Sequence, residues 1–309
     1  MKYKDWLEIW LENYIKPTAK RRTYDSYSRI AGQHIEKTLG REELDGINPI
    51  KLQQFVSGLM RNGNLITGGG LSANSVNGII AVLQGSLKSA YTLGVAKEYV
   101  ADRIKRPRAR EKAVTSFTLP EQRKIEQAAF SDRRSKMFGI VLCLYTGLRI
   151  GELLSLEWRD VDFSKGMLSV NKTCHDGKGG NGMLCRITDT PKTATSRREI
   201  PLPRRIIQLL REHRRRDSSD YIISSGGKPL YVRSYQRDFD SLLKKLCIPH
   251  KGFHALRHTF ATRALECGMD VRTLSEILGH KNPTVTLNRY AHSMIEHKRD
   301  MMNKLGRML

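Results

Sequence analysis

The spacing of apolar residues changes along this sequence, and the change constrains the fold more than any other feature. Over most of the chain apolar residues recur every three or four positions, which is the spacing of one helix face. Between residues 167 and 202 they alternate with polar residues, which predicts short strands at 167–172, 184–188 and 198–202. Helical spacing then resumes. The pattern predicts a mainly α protein with a small β-sheet, of the α+β class.

Residues 1–94 are predicted to form a helical domain in which four amphipathic helices bury a common core. The third helix begins at Asn48 and Pro49, a favourable cap and first turn, and the fourth begins after Ser72 and ends at Gly94. The four apolar stripes are Trp6, Leu7, Trp10, Leu11 and Tyr14; Tyr24, Tyr27, Ile30 and Ile35; Leu52, Phe55, Val56 and Leu59; and Ile79, Ile80, Leu83, Leu87 and Tyr91. Periodicity alone identifies only a small helical bundle.

A basic segment, residues 95–116, separates this domain from the rest of the chain. It is rich in Lys and Arg and is interrupted by Pro107, which is typical of a solvated linker that could also lie along a phosphate backbone. The second domain is predicted to span residues 117–309. It opens with a capping box formed by Thr118 and Glu121. The next predicted helix, MFGIVLCLYTG, is apolar on nearly all faces and is expected to be central to the core.

The charge of the chain indicates a polyanionic partner. The sequence has 54 Lys and Arg against 31 Asp and Glu, a net charge of +23, and its pI is near 10.0. Nucleic acid is the most common partner of so basic a protein. No apolar run approaches the roughly 18 residues of a membrane span, and the N-terminus MKYKDWLEIW has no apolar signal region. We therefore expect a cytoplasmic protein that does not contact membranes.

Metal and nucleotide sites are disfavoured by the spacing of the residues that would form them. The five cysteines include no CxxC pair, which argues against a disulfide framework and a structural zinc site. His254 and His258 have the i, i+4 spacing of a zinc helix, but Ala255 stands where an HExxH hydrolase needs its Glu. The glycines of DGKGGNG satisfy GxGxxG, yet a strand pattern follows instead of a helix, so a hairpin loop beginning at Asp176 is predicted. No cofactor or metal is expected.

Four polar residues between His254 and Tyr290 point to an anion-binding site. His254 and Arg257 lie three positions apart and so share a helix face. A second helix is predicted to stop at Gly279, which leaves His280 just beyond its C-terminus, ten residues before Tyr290. Upstream, Arg149 precedes another predicted helix, where its charge opposes the helix dipole. A phosphate would explain that placement.

The motifs that carry these residues resemble those of the tyrosine recombinases of the phage integrase family. The matching segments are TGLRIGELLSLEW, the predicted hairpin TPKTATSRREIPL, HALRHTFAT, and LGH with a tyrosine ten residues later. The resemblance covers both domains and implies a helical core-binding domain followed by a catalytic domain. It also implies a catalytic set in which Tyr290 is the nucleophile, and the full set is Arg149, Lys192, His254, Arg257, His280 and Tyr290.

The resemblance implies a site-specific DNA recombinase of the kind carried by mobile elements. Such an enzyme would cut and rejoin double-stranded attachment sites through a 3′-phosphotyrosine and a four-way junction, as a homotetramer on DNA. Accessory directionality or DNA-bending proteins are further candidate partners. Two alternatives remain at this stage: a type IB topoisomerase, which would use the same chemistry as a monomer, and a DNA-binding regulator with an idle site.

Overall fold

The α-helices of the N-terminal part bury most of the predicted stripes, and two of them begin at a side-chain cap. The computed structural model describes residues 1–109, 115–132, 134–179, 183–189, 197–216, 219–280, 282, 284, 299, 302, 303 and 305–307. The chain divides into two compact units, Met1–Lys112 and Ala113–Leu309. The helices of the first unit are α1 (Tyr3–Trp10, continued by a π-helical turn at Leu11–Ile15), α2 (Arg21–Ile30, continued by a π-helical turn at Ala31–Ile35), α3 (Glu36–Leu39), α4 (Pro49–Asn62) and α5 (Ala73–Thr92).

The core of the first unit confirms most of the four predicted stripes. Asn48 accepts a hydrogen bond from the backbone N–H of Lys51, and Ser72 accepts one from Ser75, so both predicted caps are present. The helices α1, α4 and α5 supply most of the buried side chains of this unit. Tyr14 and Tyr91 lie exposed although they continue two of the stripes. These two stripes therefore end one turn earlier than the spacing predicted.

The first part of the basic segment folds onto the first unit, whereas the sequence analysis assigned it to a linker. Ala96, Val100, Ala101 and Ile104 are buried in the core of that unit. The side chain of Gln84 also donates a hydrogen bond to the carbonyl of Ala101. The charged residues between them hide this pattern in the sequence, because long Lys and Arg side chains can extend outward while their neighbours are buried. Residues 110–114 lie outside the described part of the chain.

The second unit is built from helices around a nearly wholly buried central helix. Its helices are α6 (Leu119–Ser131), α7 (Ser135–Thr146), α8 (Ile150–Leu154), α9 (Arg204–Arg214), α10 (Val232–Lys245), α11 (His254–Glu266) and α12 (Val271–Leu278). α7 packs against α6 and α11. This confirms the central position that its apolar sequence predicted. The capping box of Thr118 and Glu121 is also present at the start of α6.

In the part of the second unit that the structure describes, three small antiparallel sheets accompany the helices. The strands are β1 (Val161–Asp162), β2 (Met167–Val170), β3 (Thr173–Lys178), β4 (Leu184–Asp189), β5 (Arg198–Pro201), β6 (Ser224–Ser225) and β7 (Lys228–Pro229). The sheets have the strand orders β1-β2-β5, β3-β4 and β6-β7. In the first sheet Leu168 pairs with Ile200, and both are buried. The α+β class predicted from the sequence is confirmed.

The strand β3 was missed by the sequence analysis, which expected a hairpin loop to begin at Asp176. Asp176 stands where an alternating pattern would need an apolar residue after Cys174, so the segment has no period-2 signal. Its strand geometry comes instead from backbone pairing with β4, in which Gly177 lies opposite Cys185. Asp176 also accepts hydrogen bonds from the N–H groups of Val232 and Arg233 at the start of α10. A long-range cap of this kind leaves no local signal in the sequence.

The chain segment before α6 is anchored on α11. The backbone N–H of Phe117 donates to the hydroxyl of Thr259 over 2.8 Å, and Arg263 donates to the Phe117 carbonyl over 3.0 Å. Arg263 also forms an ion pair with Glu266.

None of the helices in the described part of the chain is long and apolar enough to cross a membrane.

Candidate functional site

The turn between α7 and α8 places Arg149 at the start of a short helix. Gly147 ends α7 with a φ of +64°, and a Cβ there would lie 2.5 Å from Phe260 Cδ1 and 2.7 Å from Leu278 Cδ2. Only glycine satisfies both the left-handed backbone and the close packing. The chain then turns so that Arg149 precedes α8. Arg149 is 38% exposed at its side chain, which leaves it accessible from the solvent.

Arg149 is held by Glu152, three residues further along. The Glu152 carboxylate accepts the backbone N–H of Arg149 over 2.9 Å and a guanidinium N–H over 2.7 Å. The second guanidinium nitrogen of Arg149 donates to the carbonyl of Gly279 over 3.4 Å. This carbonyl belongs to the end of α12, which is 130 residues away in the sequence. Arg149 therefore joins the start of α8 to the end of α12.

Arg257 is the second arginine at this helix end, and its side chain is only 1% exposed. It projects from α11 and donates to the carbonyl of Gly147 over 2.8 Å and to that of Leu278 over 2.7 Å. Its Nη2 also lies 2.8 Å from His280 Nε2. Because arginine only donates, His280 Nε2 is the acceptor, and a neutral ring then carries its proton on Nδ1. Arg257 thus fixes both the position and the tautomer of His280.

The C-terminus of α12 is capped by three arginine side chains from different elements. Arg198 donates to the carbonyl of Ile277, Arg257 to that of Leu278 and Arg149 to that of Gly279. The last carbonyls of a helix have no partners within it and carry partial negative charge, so cations stabilise them. Gly279 adopts a φ of +65° and turns the chain to His280. The predicted helix stop and the position of His280 beyond it are confirmed.

The third arginine, Arg198, was absent from the candidate site residues and pairs with a buried carboxylate. Its guanidinium makes a bidentate contact with Glu152, with distances of 3.1 and 2.9 Å. The side chains of Arg198 and Glu152 are 5% and 8% exposed. Arg198 lies two positions before the buried Ile200 on β5 and so shares its inward face. A charged residue on the buried face of a strand is the sequence signal that could have identified it.

The pKa of Glu152 reflects this pairing. Burial by itself would raise the pKa, but the hydrogen bonds and charges of Arg198 and Arg149 outweigh it and lower the pKa to about 2. Glu152 is therefore ionised at neutral pH, and one carboxylate is shared between two guanidinium groups. The cluster retains a net positive charge at the end of α12, which favours binding of an anion.

His254 is the first residue of α11 and lies exposed, one turn before the buried Arg257. Its ring meets the ring of His258 edge to face, with centroids 4.6 Å apart and an interplanar angle of 87°. Within the described ranges, no group of three or more His, Cys, Asp or Glu side chains is placed to hold a metal ion. Lys192 and Tyr290 lie outside the described residues. The structure therefore brings together Arg149, Arg257 and His280.

Acidification is expected to destabilise the second unit partly through Glu152. Its folded-state pKa of about 2 is below an ordinary value near 4.5, so its contribution is complete above about pH 4.5 and is lost as the pH falls towards 2. The lowered pKa corresponds to a contribution from Glu152 on the order of 3 kcal/mol to the free energy of unfolding at neutral pH. Denaturant unfolding between pH 6 and 3 should show a steeper pH dependence in the wild type than in Glu152→Gln. If the free energy of unfolding changed equally with pH in the two proteins, Glu152 would not be a source of the acid sensitivity.

Comparison with known proteins gives matches over both units. The profile of the phage integrase family matches residues 117–297, and that of the phage integrase N-terminal SAM-like domain matches residues 2–60. The chain is 28% identical over 339 residues to the tyrosine recombinase XerC-like protein of Caldanaerobacter subterraneus subsp. tengcongensis, covering 98% of this chain and 82% of the relative. It is 26% identical over 308 residues to the ICEBs1 integrase of Bacillus subtilis, covering 94% and 79%.

Solved structures show the same fold. The Tn1549 transposon integrase in complex with transposon right end DNA superposes with a TM-score of 0.81 at 23% identity, covering 99% of this chain and 100% of that chain. A lambda integrase tetramer bound to a Holliday junction gives a TM-score of 0.70 at 21% identity, covering 92% and 79%. At these identities the likeness establishes the architecture, and the family follows from the profile match.

Proposed function

We propose that this chain, which belongs to the phage integrase family, is the site-specific DNA recombinase of a mobile element and cleaves DNA at the arginine-capped end of α12. The observation that carries the proposal is the convergence of Arg149, Arg257 and His280 from separate parts of the sequence. Local stability does not require two arginines at one helix end. A phosphodiester, whose single negative charge is shared by its two non-bridging oxygens, is the ligand that such a pair fits.

The proposed reaction is a transesterification at phosphorus. Tyr290 attacks the phosphodiester, a 3′-phosphotyrosine forms, and the bond to the 5′ oxygen breaks. Arg149 and Arg257 bind the non-bridging oxygens, where negative charge increases in the pentacoordinate transition state. His254 removes the proton of the tyrosine hydroxyl, whose pKa of roughly 10 is far above neutrality in the free residue. The covalent bond conserves the phosphodiester energy, so rejoining needs no nucleotide.

Two further residues complete the proposed site. Lys192 donates a proton to the departing 5′ oxygen, which would otherwise leave as a poor alkoxide leaving group. His280 donates a hydrogen bond to the phosphate from Nδ1, the nitrogen that carries the proton when Arg257 occupies Nε2. In this proposal the ring of His280 transmits the position of Arg257 to the substrate. The chemistry uses only side chains of the chain, without metal or cofactor.

The proposed partners are duplex attachment sites bound by four copies of the chain. The net charge of +23 fits many phosphate contacts. The structural neighbours named above include an integrase on transposon end DNA and a tetramer on a Holliday junction. We extend both features to this chain, with strand exchange through a four-way junction. Accessory proteins that set the direction of recombination or bend the DNA are further proposed partners.

A nicked suicide duplex, made from the DNA junctions that flank the gene, tests the function directly. The wild-type protein should form a covalent protein–DNA band in the presence of EDTA. Its affinity for the duplex should fall by roughly a thousandfold or more between 50 and 200 mM salt if about six phosphates are neutralised. Crosslinking on paired sites should trap a tetramer.

Each alternative reading gives a different result in that experiment. Binding without any covalent band would support a DNA-binding regulator with an idle site. A covalent band formed by a monomer, together with relaxation of a supercoiled plasmid in a parallel assay and no strand exchange, would support a type IB topoisomerase. Cleavage that requires added zinc or magnesium would overturn the proposed metal-free chemistry.

A further inference from the structure

We propose that Arg198 is a positioning residue for DNA cleavage, an inference that rests on the function proposed above. Arg198 belongs to none of the candidate catalytic positions, and its buried side chain does not need to touch the substrate. It joins the two segments that carry Arg149 and His280. These segments lie 46 and 79 residues from Arg198 in the sequence, measured to Glu152 and Ile277.

The first link runs through Glu152 to Arg149. Arg198 donates two parallel hydrogen bonds to the Glu152 carboxylate, and the same carboxylate accepts the backbone and side-chain N–H groups of Arg149. A bidentate guanidinium–carboxylate contact fixes orientation as well as distance. The plane of the Glu152 carboxylate, and with it the direction of the Arg149 side chain, is therefore set by Arg198.

The second link runs to the end of α12. The Nε of Arg198 donates to the carbonyl of Ile277 over 2.5 Å. A Cβ on Gly279 would lie 3.1 Å from Cδ of Arg198, so the turn that leads to His280 packs directly on this side chain. All three guanidinium nitrogens of Arg198 donate hydrogen bonds. The two Nη nitrogens contact Glu152, and Nε contacts the carbonyl of Ile277. A lysine would keep the charge but would lack this planar geometry.

Arg198 also controls how much positive charge Arg149 presents. Glu152 carries one negative charge and is shared by two guanidinium groups. Without Arg198, the carboxylate would pair with Arg149 alone and would neutralise it. Arg198 thus leaves Arg149 with positive charge to offer a phosphate, in addition to fixing its direction. The expected defect of an Arg198 variant is in the stabilisation of charge on the non-bridging oxygens.

The neutral variant Arg198→Gln and the conservative variant Arg198→Lys separate this role from a contribution to folding. Single-turnover cleavage of the suicide duplex should slow by roughly 100-fold in Arg198→Gln and by roughly tenfold in Arg198→Lys, because small misplacements of a reacting group have effects of this size. The dissociation constant for DNA should change by less than about threefold, since most phosphate contacts lie elsewhere. Arg198→Lys keeps the buried ion pair and so remains informative where Arg198→Gln does not fold.

A methylphosphonate at the cleaved position provides the readout that a purely structural role would not change. Replacing one non-bridging oxygen by a methyl group removes the single negative charge of the phosphodiester, so less negative charge must be stabilised in the transition state. The defects of both Arg198 variants, relative to wild type, should therefore shrink by about tenfold or more on this substrate. A loss of folded protein would lower cleavage of both substrates equally.

Arg263→Lys is the matched control. Arg263 also contacts a carboxylate, a side-chain amide and a backbone carbonyl, but none of these partners lies at the end of α12. This variant should cleave both substrates like the wild type. Arg198 variants with wild-type rates, or with equal defects on the two substrates, would overturn the positioning role. A wild-type protein that forms no covalent band at all would instead count against the proposed function.

Discussion

Tyr290→Phe is expected to abolish the covalent protein–DNA band while leaving DNA affinity unchanged. The substitution removes only the hydroxyl oxygen that is proposed to attack phosphorus, and no other group of the ring can form a phosphoester. Binding depends mainly on Lys and Arg contacts with phosphates and should be retained. The measurement is the covalent yield on the suicide duplex, with the dissociation constant determined in parallel.

Burial disfavours two other tyrosines of the second unit as nucleophiles. Tyr235 is fully buried and donates its hydroxyl to the carbonyl of Lys136, and burial raises its pKa well above the usual range. Burial also raises the pKa of Tyr145. Both effects oppose formation of a phenolate. Tyr231 is exposed at the start of α10 and supplies the control, since Tyr231→Phe should form the adduct normally. An adduct formed by Tyr290→Phe would show that a different tyrosine is the nucleophile.

Features with a local cause were predictable from the sequence. The caps at Asn48, Ser72 and Thr118 satisfy helix N–H groups within three residues, so the residue type and spacing are sufficient to identify them. The stop at Gly279 depends on one left-handed backbone conformation, for which glycine is the usual residue. The buried position of α7 followed from its apolar composition on all faces. Each of these inferences needed information from one segment only.

The organisation of the site depended on contacts that one segment does not contain. Spacing predicted that Arg257 shares a helix face with His254, but not that its guanidinium is buried against the ends of α7 and α12. The second arginine partner of Glu152, beside Arg149, is a strand residue 46 positions away, which no helical pattern indicates. The sequence motifs were sufficient to identify Arg149 and Arg257 as candidates for the catalytic set. Only the fold shows that Arg149, Arg198 and Arg257 converge on three successive carbonyls of one helix.

Lys192→Ala is expected to slow cleavage of an ordinary duplex by roughly a hundredfold or more, the usual size of a general-acid contribution. Lys192 follows β4, which ends at Asp189, and precedes β5, which begins at Arg198. The reason for the loss is the 5′ oxygen, which leaves poorly without a proton. A substrate with sulfur in place of this bridging oxygen releases a stable thiolate and needs no proton. Cleavage of that substrate by Lys192→Ala should return close to the wild-type rate.

Arg149→Ala distinguishes a proton donor from a general loss of activity. Its lost interaction is with the non-bridging oxygens, so sulfur at the bridging position should give no comparable rescue. Lys165 provides the neutral control, because it is an exposed turn lysine between β1 and β2, and Lys165→Ala should match the wild type on both substrates. Equal rescue of Lys192→Ala and Arg149→Ala, or rescue of neither, would show that another group protonates the leaving 5′ oxygen. Lys192 would then have no role as the general acid.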